Sequence, residues 1–474
     1  MTDVAEARAD VRQRWWTLPV VSAAQLLVVL DGTIVNIALP SAQRDLGMSD
    51  TSRQWAITAY ALAFGGLLLI GGRISSALGH RRAFVLGLAG FAASSALGGV
   101  AVNPEMLFGA RALQGVFAAL LAPAGLALLT TTFTEAKERA RAFGVFAAVG
   151  AAGSAVGLVA GGLLTEYASW RWCLYINVPI AVLALVGTTK VPGRRGSRGP
   201  LDLGGALLST AGFVAVVYGF NQAEPRGWGS PVVPAVLGGG VLLLAAFVVL
   251  ESRVSHPLLP LRVLLHRDRG GAFVAITLMF VAMFGFYLFM SYYTQTILGY
   301  SPVEAGMTLI INALAALVGA TVIAGKLSRR LAPGLVVLAG LVAAAAGLLI
   351  LTRLTATSPN ILPLYLVPAL ILTGLGLGLV IPVTAALATS DVSWADIGAA
   401  SAAYNASQQL GAALGTALLN TIASSATAAY LLTGHEPDAS TVHGYTTALI
   451  VAFGILLAAA LITVPLIHTR KDLS

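Results

Sequence analysis

Apolar segments of about twenty residues recur along the whole chain, and each is long enough to cross the hydrocarbon layer of a membrane as one helix. Only 10% of the 474 residues are charged, whereas soluble proteins carry about 25%. Lipid offers no hydrogen-bond partner to the backbone, so such segments must be helical. The pattern therefore predicts an all-α polytopic membrane protein and leaves little room for a soluble domain.

We expect fourteen spans. They cover residues 17–40, 54–72, 82–102, 105–130, 141–164, 172–190, 203–221, 231–251, 270–297, 303–325, 332–353, 362–388, 398–424 and 445–467.

Basic residues support this count, because loops on the cytoplasmic side of a membrane are enriched in Lys and Arg. If the N-terminus is cytoplasmic, 22 of the 28 basic residues fall on the inner side and 5 on the outer side. Arg111 alone lies in the interior of a span, away from its ends. The bias predicts that both termini are cytoplasmic, and it explains the net charge of +8 without a nucleic-acid partner.

A weak internal repeat indicates two bundles of six helices. Gly72-Arg73-Ile74-Ser75 follows span 2, and Gly325-Lys326-Leu327-Ser328 follows span 10. Two equal halves would place the second copy two spans earlier, so spans 7 and 8 are interpreted as an inserted pair. The predicted domains are an N-terminal bundle (1–190), a linker with two inserted helices and an interfacial segment (191–268), and a C-terminal bundle (269–474).

Asp31 is the acidic residue that lies well within a span, where a charge costs about 2.5–3.5 kcal/mol. It is interpreted either as a structural acid bonded to a neighbouring helix or as a proton-binding site, since burial disfavours the charged form of a carboxyl group. Asp31 lies about 14 Å and Arg111 about 9 Å from the outer ends of their spans at 1.5 Å per residue. The two are expected at similar depths, either as a structural ion pair or as a coupling pair.

Glycines recur in span 5 at spacings of mostly three or four residues. This pattern is typical of helices that pack closely. The residues are Gly144, Gly150, Gly153, Gly157, Gly161 and Gly162.

Five segments, in order along the chain, resemble the fourteen-helix drug:proton antiporters of the major facilitator superfamily. They are Leu30 to Pro40 in span 1, Gly72 to Arg82 after span 2, Arg111 to Gly115 in span 4, Gly153 to Gly162 in span 5, and Ser169 to Trp172 with Ile176 to Pro179 at span 6. Two positions depart from the family pattern. Ser76 stands where the loop usually has an acid, and Leu158 where the span 5 motif usually has a proline.

The resemblance implies the major facilitator fold, with two six-helix bundles plus two extra helices, that alternates between inward- and outward-facing states. It also implies proton-driven efflux of amphipathic drugs, dyes or antibiotics, with Asp31 and Arg111 coupling proton to substrate. The residues expected to support the conformational change are Gly72, Arg73, Gly79, Arg81, Arg82, Gly153, Gly157, Gly161 and Gly162.

Polar side chains within the spans are candidate substrate contacts, although each can instead form a bond between helices. They are Asn36, Tyr60, Gln114, Tyr287, Tyr292, Tyr293, Gln295, Asn312, Tyr404, Asn405 and Gln408.

Several alternatives stay open at this stage. The chain can be a dedicated exporter of one endogenous metabolite or antibiotic, a facilitator or importer, or a sensor without transport on the same fold. A membrane-embedded enzyme is disfavoured, because the six histidines lie between apolar runs at no metal-ligand spacing. We expect no cofactor or metal besides the coupling proton, and a monomer in a bacterial inner membrane that contacts lipid and a small-molecule substrate.

Overall fold

The first helix, α1 (Thr2–Leu46), extends beyond its predicted span at both ends. The computed structural model describes residues 2–48, 55–193, 196, 202–227, 229–254, 257–356, 360–394 and 396–467. Within these ranges the regular structure is helical.

Thirteen further helices follow α1. The first seven are α2 (Trp55–Leu78), α3 (His80–Gly99), α4 (Pro104–Thr132), α5 (Ala136–Tyr167), α6 (Trp172–Tyr175 and Asn177–Gly187), α7 (Leu203–Arg226) and α8 (Val232–Glu251). After a single turn at Leu261–Leu264 come α9 (Arg267–Tyr292), α10 (Pro302–Val318, continuing as Ala324–Arg330), α11 (Pro333–Leu351), α12 (Val367–Ala388), α13 (Ile397–Leu432) and α14 (Pro437–Leu466). Single π-helical turns extend α9 and precede α12, and another lies within α10.

Each of the fourteen predicted spans is helical in the described part of the chain, and the prediction of an all-α polytopic membrane fold is confirmed. Thirteen of these helices are long and apolar enough to cross a membrane. The predicted span 398–424 lies in α13, which is outside that set because residues such as Ser401, Asn405 and Gln408 lower its hydropathy.

Local sequence explains where two helices begin. Asn103 precedes α4 and its side-chain oxygen accepts the N–H of Met106 at 2.8 Å. Ser301 precedes α10 and forms a capping box with Glu304. Each cap is followed by a proline at the first helical position, where a missing N–H costs nothing.

The chain divides into two compact units. The first contains residues 1–214, 240–263 and 389–406, and the second contains residues 215–239, 264–388 and 407–474. Within the first unit α1 packs along α5, and α4 packs against both α2 and α3. Within the second unit α12 packs against α10 and α11, and α14 packs against α9 and α11. The predicted boundaries after residues 190 and 268 stay predictions.

Glycines let α4 approach α2 closely. A methyl group on Gly71 of α2 would overlap the carbonyl of Ala119, and one on Gly115 of α4 would overlap the carbonyl of Tyr60. Small residues at such contacts bring helix backbones together. This close approach holds the buried polar side chains of α4 against α2.

Candidate functional site

Asp31 and Arg111 form a buried ion pair in the first unit. Their exposed fractions are 0% and 1%, and the Arg111 Nη1 atom donates to Oδ2 of Asp31 at 2.5 Å. Charges placed within a membrane helix face the protein interior and pair with one another because lipid cannot solvate them. The two charges that the sequence places within spans therefore balance each other.

The second carboxylate oxygen of Asp31 accepts hydrogen bonds from two amide side chains. Gln114 Nε2 donates to Oδ1 at 3.0 Å and Asn177 Nδ2 donates at 2.8 Å. Ser95 Oγ accepts from the same two amides, at 2.7 Å from Gln114 and 3.5 Å from Asn177. The carboxylate thus accepts hydrogen bonds from three side chains, one of which is charged.

Arg111 has further partners besides Asp31. Its Nε atom donates to the carbonyl of Ala56 at 3.0 Å, and Nη1 donates to Oε1 of Gln114 at 2.8 Å. The guanidinium also lies over the Tyr60 ring, 4.5 Å from its centroid. The resulting Asp31 cluster links α1, α2, α3, α4 and α6, so a change of charge at Asp31 acts on five helices. We define this cluster as Asp31, Tyr60, Ser95, Arg111, Gln114 and Asn177.

Two members of the Asp31 cluster were not predicted as site residues. Asn177 belongs to the segment that resembles the family signature at span 6. The sequence signal that could have identified it as a site residue is an amide side chain within an apolar span. Ser95 follows another serine in α3 and carries no such signal. Within the described residues, the Tyr60 hydroxyl and the Asn177 side-chain oxygen are buried without a hydrogen-bond partner.

The Trp170-Arg171 segment anchors the start of α6. Trp170 Nε1 donates to Oδ2 of Asp45 at 3.0 Å, and Arg171 forms an ion pair with the same oxygen and donates to the carbonyl of Ala101 at 2.9 Å. These donors, Arg171 foremost, hold the pKa of the Asp45 carboxyl below its usual value. The anchor ties α6 to the end of α1, and so helps to fix Asn177 opposite Asp31.

The glycine face of α5 packs on α1 beside Asp31. A methyl group on Gly157 would overlap Thr33 Oγ1, while Gly153 faces Leu26 and Gly161 faces Ile34. Gly162 is half-buried. Because Thr33 donates to the carbonyl of Leu30 at 3.0 Å, it has little freedom to move away. The glycines therefore set how closely α5 approaches the helix that carries the acid.

Gly157→Ala is expected to destabilise the protein by about 1–3 kcal/mol, because the added methyl overpacks the contact with Thr33. The matched control is Gly109→Ala in α4, where an added methyl meets nothing within 4 Å and alanine favours the helix. Thermal unfolding of both variants in detergent micelles measures the effect. Equal unfolding temperatures for the two variants would contradict the assigned packing.

Residues at and near the loop between α2 and α3 contact segments that are distant in the sequence. Gly79 has φ of +88°, a conformation that glycine adopts without strain. Arg81 donates to the carbonyls of Thr188 at 3.0 Å and Thr189 at 3.4 Å, beyond the end of α6. A methyl on Gly72 would overlap the carbonyl of Gly398. Arg73 is half-buried, Arg82 is exposed, and Ser76, at the position that departs from the family pattern, is buried.

In the second unit, two of the candidate substrate contacts bond to each other. Tyr287 donates to Oδ1 of Asn312 at 2.7 Å, and Asn312 Nδ2 donates to Thr373 at 2.8 Å and to the carbonyl of Leu370 at 3.0 Å. This bonding connects α9, α10 and α12 and occupies both ends of the Asn312 amide. In this structure Asn312 acts as a bond between helices.

The remaining candidates have varied surroundings. Tyr293 is buried and its hydroxyl donates to the carbonyl of Thr355 at 3.4 Å, whereas Tyr292 is exposed. Gln295 and Asn405 form hydrogen bonds within their own helices. The other positions are Tyr404, which is buried, Gln408, which is half-buried, and Asn36, whose side chain lies outside the described residues. Among the described residues no group of His, Cys, Asp and Glu could hold a metal ion.

The sequence of this chain is similar to those of known proteins. The family profile described as Major Facilitator Superfamily matches residues 21–416. The puromycin resistance protein pur8 of Streptomyces alboniger is 54% identical over 97% of this chain and 92% of its own length. The cephamycin export protein CmcT of Amycolatopsis lactamdurans is 40% identical over 85% and 84%. The multidrug efflux pump LfrA of Mycolicibacterium smegmatis is 32% identical over 86% and 80%.

Among solved structures, the human organic anion transporter MFSD10 has the same fold. It superposes with a TM-score of 0.68 at 14% identity, over 95% of this chain and 99% of that chain.

Proposed function

The chain belongs to the Major Facilitator Superfamily, and on that premise we propose that it exports amphipathic drugs or antibiotics in exchange for protons. It acts as a secondary active transporter in the bacterial plasma membrane, with both termini cytoplasmic. The buried, charge-balanced carboxylate of Asp31 is the observation that carries the proton coupling. The relatives named for antibiotic resistance, antibiotic export and multidrug efflux support the direction of transport.

Proton binding at Asp31 would change the balance of the whole Asp31 cluster. A protonated Asp31 no longer balances the Arg111 charge, which is left to the Ala56 carbonyl, the Gln114 amide and the Tyr60 ring. The strong ion-pair bond weakens, and the contacts that α1 makes with α4 and α6 weaken with it. Coupling follows if the inward- and outward-facing states bind the proton with different affinity.

The charges of the spans limit the substrate class. Asp31 is the acid of the Asp31 cluster, and Arg111 already balances it. A second substrate charge would then lack a buried partner, which lipid-like surroundings penalise. Neutral or singly charged amphipathic molecules are therefore the proposed substrates, and Tyr60 and Gln114 are the candidate contacts that adjoin Asp31.

Export of one dedicated antibiotic is the second candidate function. Two of the relatives above are named for a single antibiotic, puromycin or cephamycin, and one is named for multidrug efflux. Substrate range separates the two candidates.

Inside-out membrane vesicles test the proposal. Their lumen corresponds to the cell exterior, so an acidic lumen is expected to drive accumulation of labelled puromycin against its gradient. Collapse of the pH gradient is expected to stop uptake, and vesicles without the protein give the background. A panel of amphipathic dyes and antibiotics then measures the substrate range.

Three results are informative. Uptake that does not depend on the pH gradient would contradict proton coupling. Uptake driven by an acidic outside medium rather than by an acidic lumen would not be export in exchange for protons and would show an importer. Uptake of a single compound from the panel would favour the dedicated exporter.

A further inference from the structure

Two carboxyl groups meet where α7 begins and α8 ends. Asp202 caps α7, since its Oδ1 atom accepts the N–H of Gly205 at 2.9 Å. Glu251 is the last residue of α8, is 3% exposed, and accepts the N–H of Leu259 through Oε2 at 2.9 Å. Each carboxyl group therefore has one oxygen satisfied by a backbone donor.

The other two oxygens face the same point. Both Oδ2 of Asp202 and Oε1 of Glu251 are buried and have no hydrogen-bond partner within the described residues. A methyl group on Gly205 would overlap both atoms, so the two oxygens converge over this glycine. Among the described residues, no ion pair joins a basic side chain to either acid.

Two ionised carboxylates do not fit this arrangement. An ionised carboxylate only accepts hydrogen bonds, so neither of the facing oxygens can satisfy the other. Like charges that share a buried site disfavour ionisation of one of them. Glu251 also lies at the C-terminal end of α8, where the helix dipole disfavours a negative charge, while Asp202 lies at the favourable N-terminal end of α7.

We propose that Asp202 and Glu251 form a second proton-binding site, in which Glu251 carries the proton and donates a hydrogen bond from Oε1 to Oδ2 of Asp202. One proton satisfies both orphaned oxygens and removes the repulsion. The site is independent of the Asp31 cluster, and the proposal does not rest on transport activity.

The proton holds three segments together. Asp202 lies at the start of α7 and Glu251 at the end of α8. Glu251 also accepts the N–H of Leu259, which belongs to the segment after α8, and both Leu258 and Leu259 are buried there. Loss of the proton leaves two negative charges facing each other across Gly205. The inserted helix pair and its following segment then separate at this point, on the side of the membrane predicted to be cytoplasmic.

Infrared difference spectroscopy of the purified full-length protein tests the site directly. A protonated carboxyl group has a C=O stretching band distinct from that of a carboxylate, and the band shifts in deuterated water. Wild type at neutral pH is expected to show this band and to lose it as the pH rises. Glu251→Gln is expected to lack the band, and Asp31→Asn is expected to keep it. A band that persists in Glu251→Gln would overturn the assignment.

Thermal unfolding across the same pH range gives a second readout. Folded wild type binds one proton more than the unfolded chain, so its unfolding temperature is expected to fall as the pH rises. In Glu251→Gln the amide supplies the donor at every pH, so this part of the fall is expected to disappear. The matched control is Glu166→Gln, an exposed acid near the end of α5 that should keep the wild-type pH dependence. No infrared band in wild type, together with stabilisation by added sodium or potassium, would show that a cation rather than a proton occupies the site.

Discussion

Replacing Asp31 by asparagine is expected to reduce proton-driven export to the level of protein-free vesicles while substrate binding persists. Asparagine has nearly the same volume as aspartate, and its oxygen can still accept a hydrogen bond from Arg111. It cannot take up a proton in the physiological range, however. The transport cycle then lacks the step in which the pH gradient performs work, and only movement down the substrate gradient remains.

Transport and binding measured on the same preparation check this expectation. Puromycin uptake into inside-out vesicles with an acidic lumen reports coupling, and quenching of tryptophan fluorescence or calorimetry reports binding. The matched control is Asp45→Asn, since Asp45 is also on α1 and is also paired with an arginine, but lies half-exposed at the end of the helix. Proton-coupled uptake by Asp31→Asn would place the coupling site elsewhere in the chain.

The buried ion pair is expected to respond asymmetrically when either partner is removed. Removal of one partner of a buried pair costs about 3–5 kcal/mol, because an uncompensated charge remains inside the protein. After Asp31→Asn that charge is the guanidinium of Arg111, which cannot lose its proton. After Arg111→Gln it is the carboxylate of Asp31, which can neutralise itself by taking up a proton.

Unfolding temperatures measured from acidic to alkaline pH separate the two cases. Arg111→Gln is expected to lose the most stability at high pH and progressively less as the pH falls, because Asp31 then binds a proton. Asp31→Asn is expected to lose stability at every pH, because the guanidinium of Arg111 stays charged throughout the range. The double variant Asp31→Asn/Arg111→Gln holds no buried charge in the cluster and is expected to recover most of the loss. Additive losses in the double variant would show that the two residues act independently.

The helical fold could be predicted because its physical causes are visible in the sequence. Apolar length fixes where a membrane helix can form, and the positions of basic residues fix the expected topology. The weakest case is α13, because it lies outside the set of helices that are apolar enough to cross a membrane. Helix ends were also predicted poorly, since α1 continues to Leu46 and α13 to Leu432, beyond their apolar segments.

The site could be predicted only in part. Asp31 and Arg111 are evident because a charge within an apolar span is costly. A charge at such a position is therefore expected to have a buried partner or a function. Ser95 and Asn177 are uncharged, and their role depends on which helices lie next to α1, which a single sequence does not reveal. The same holds for Asp202 and Glu251, which are 49 positions apart and meet only because α7 and α8 are antiparallel neighbours.

The five-helix Asp31 cluster limits the routes by which such a transporter can acquire new substrates. A single substitution that removes the charge of Asp31 or of Arg111 leaves an unbalanced charge, whereas simultaneous compensating changes at both positions are rare in a natural population. Selection on an antibiotic should therefore leave the cluster unchanged and act on polar positions outside it, such as Tyr292 or Gln295, where substitution leaves no buried charge. Resistance that broadens under drug exposure is then expected to map to those positions, with the Asp31 cluster inherited intact.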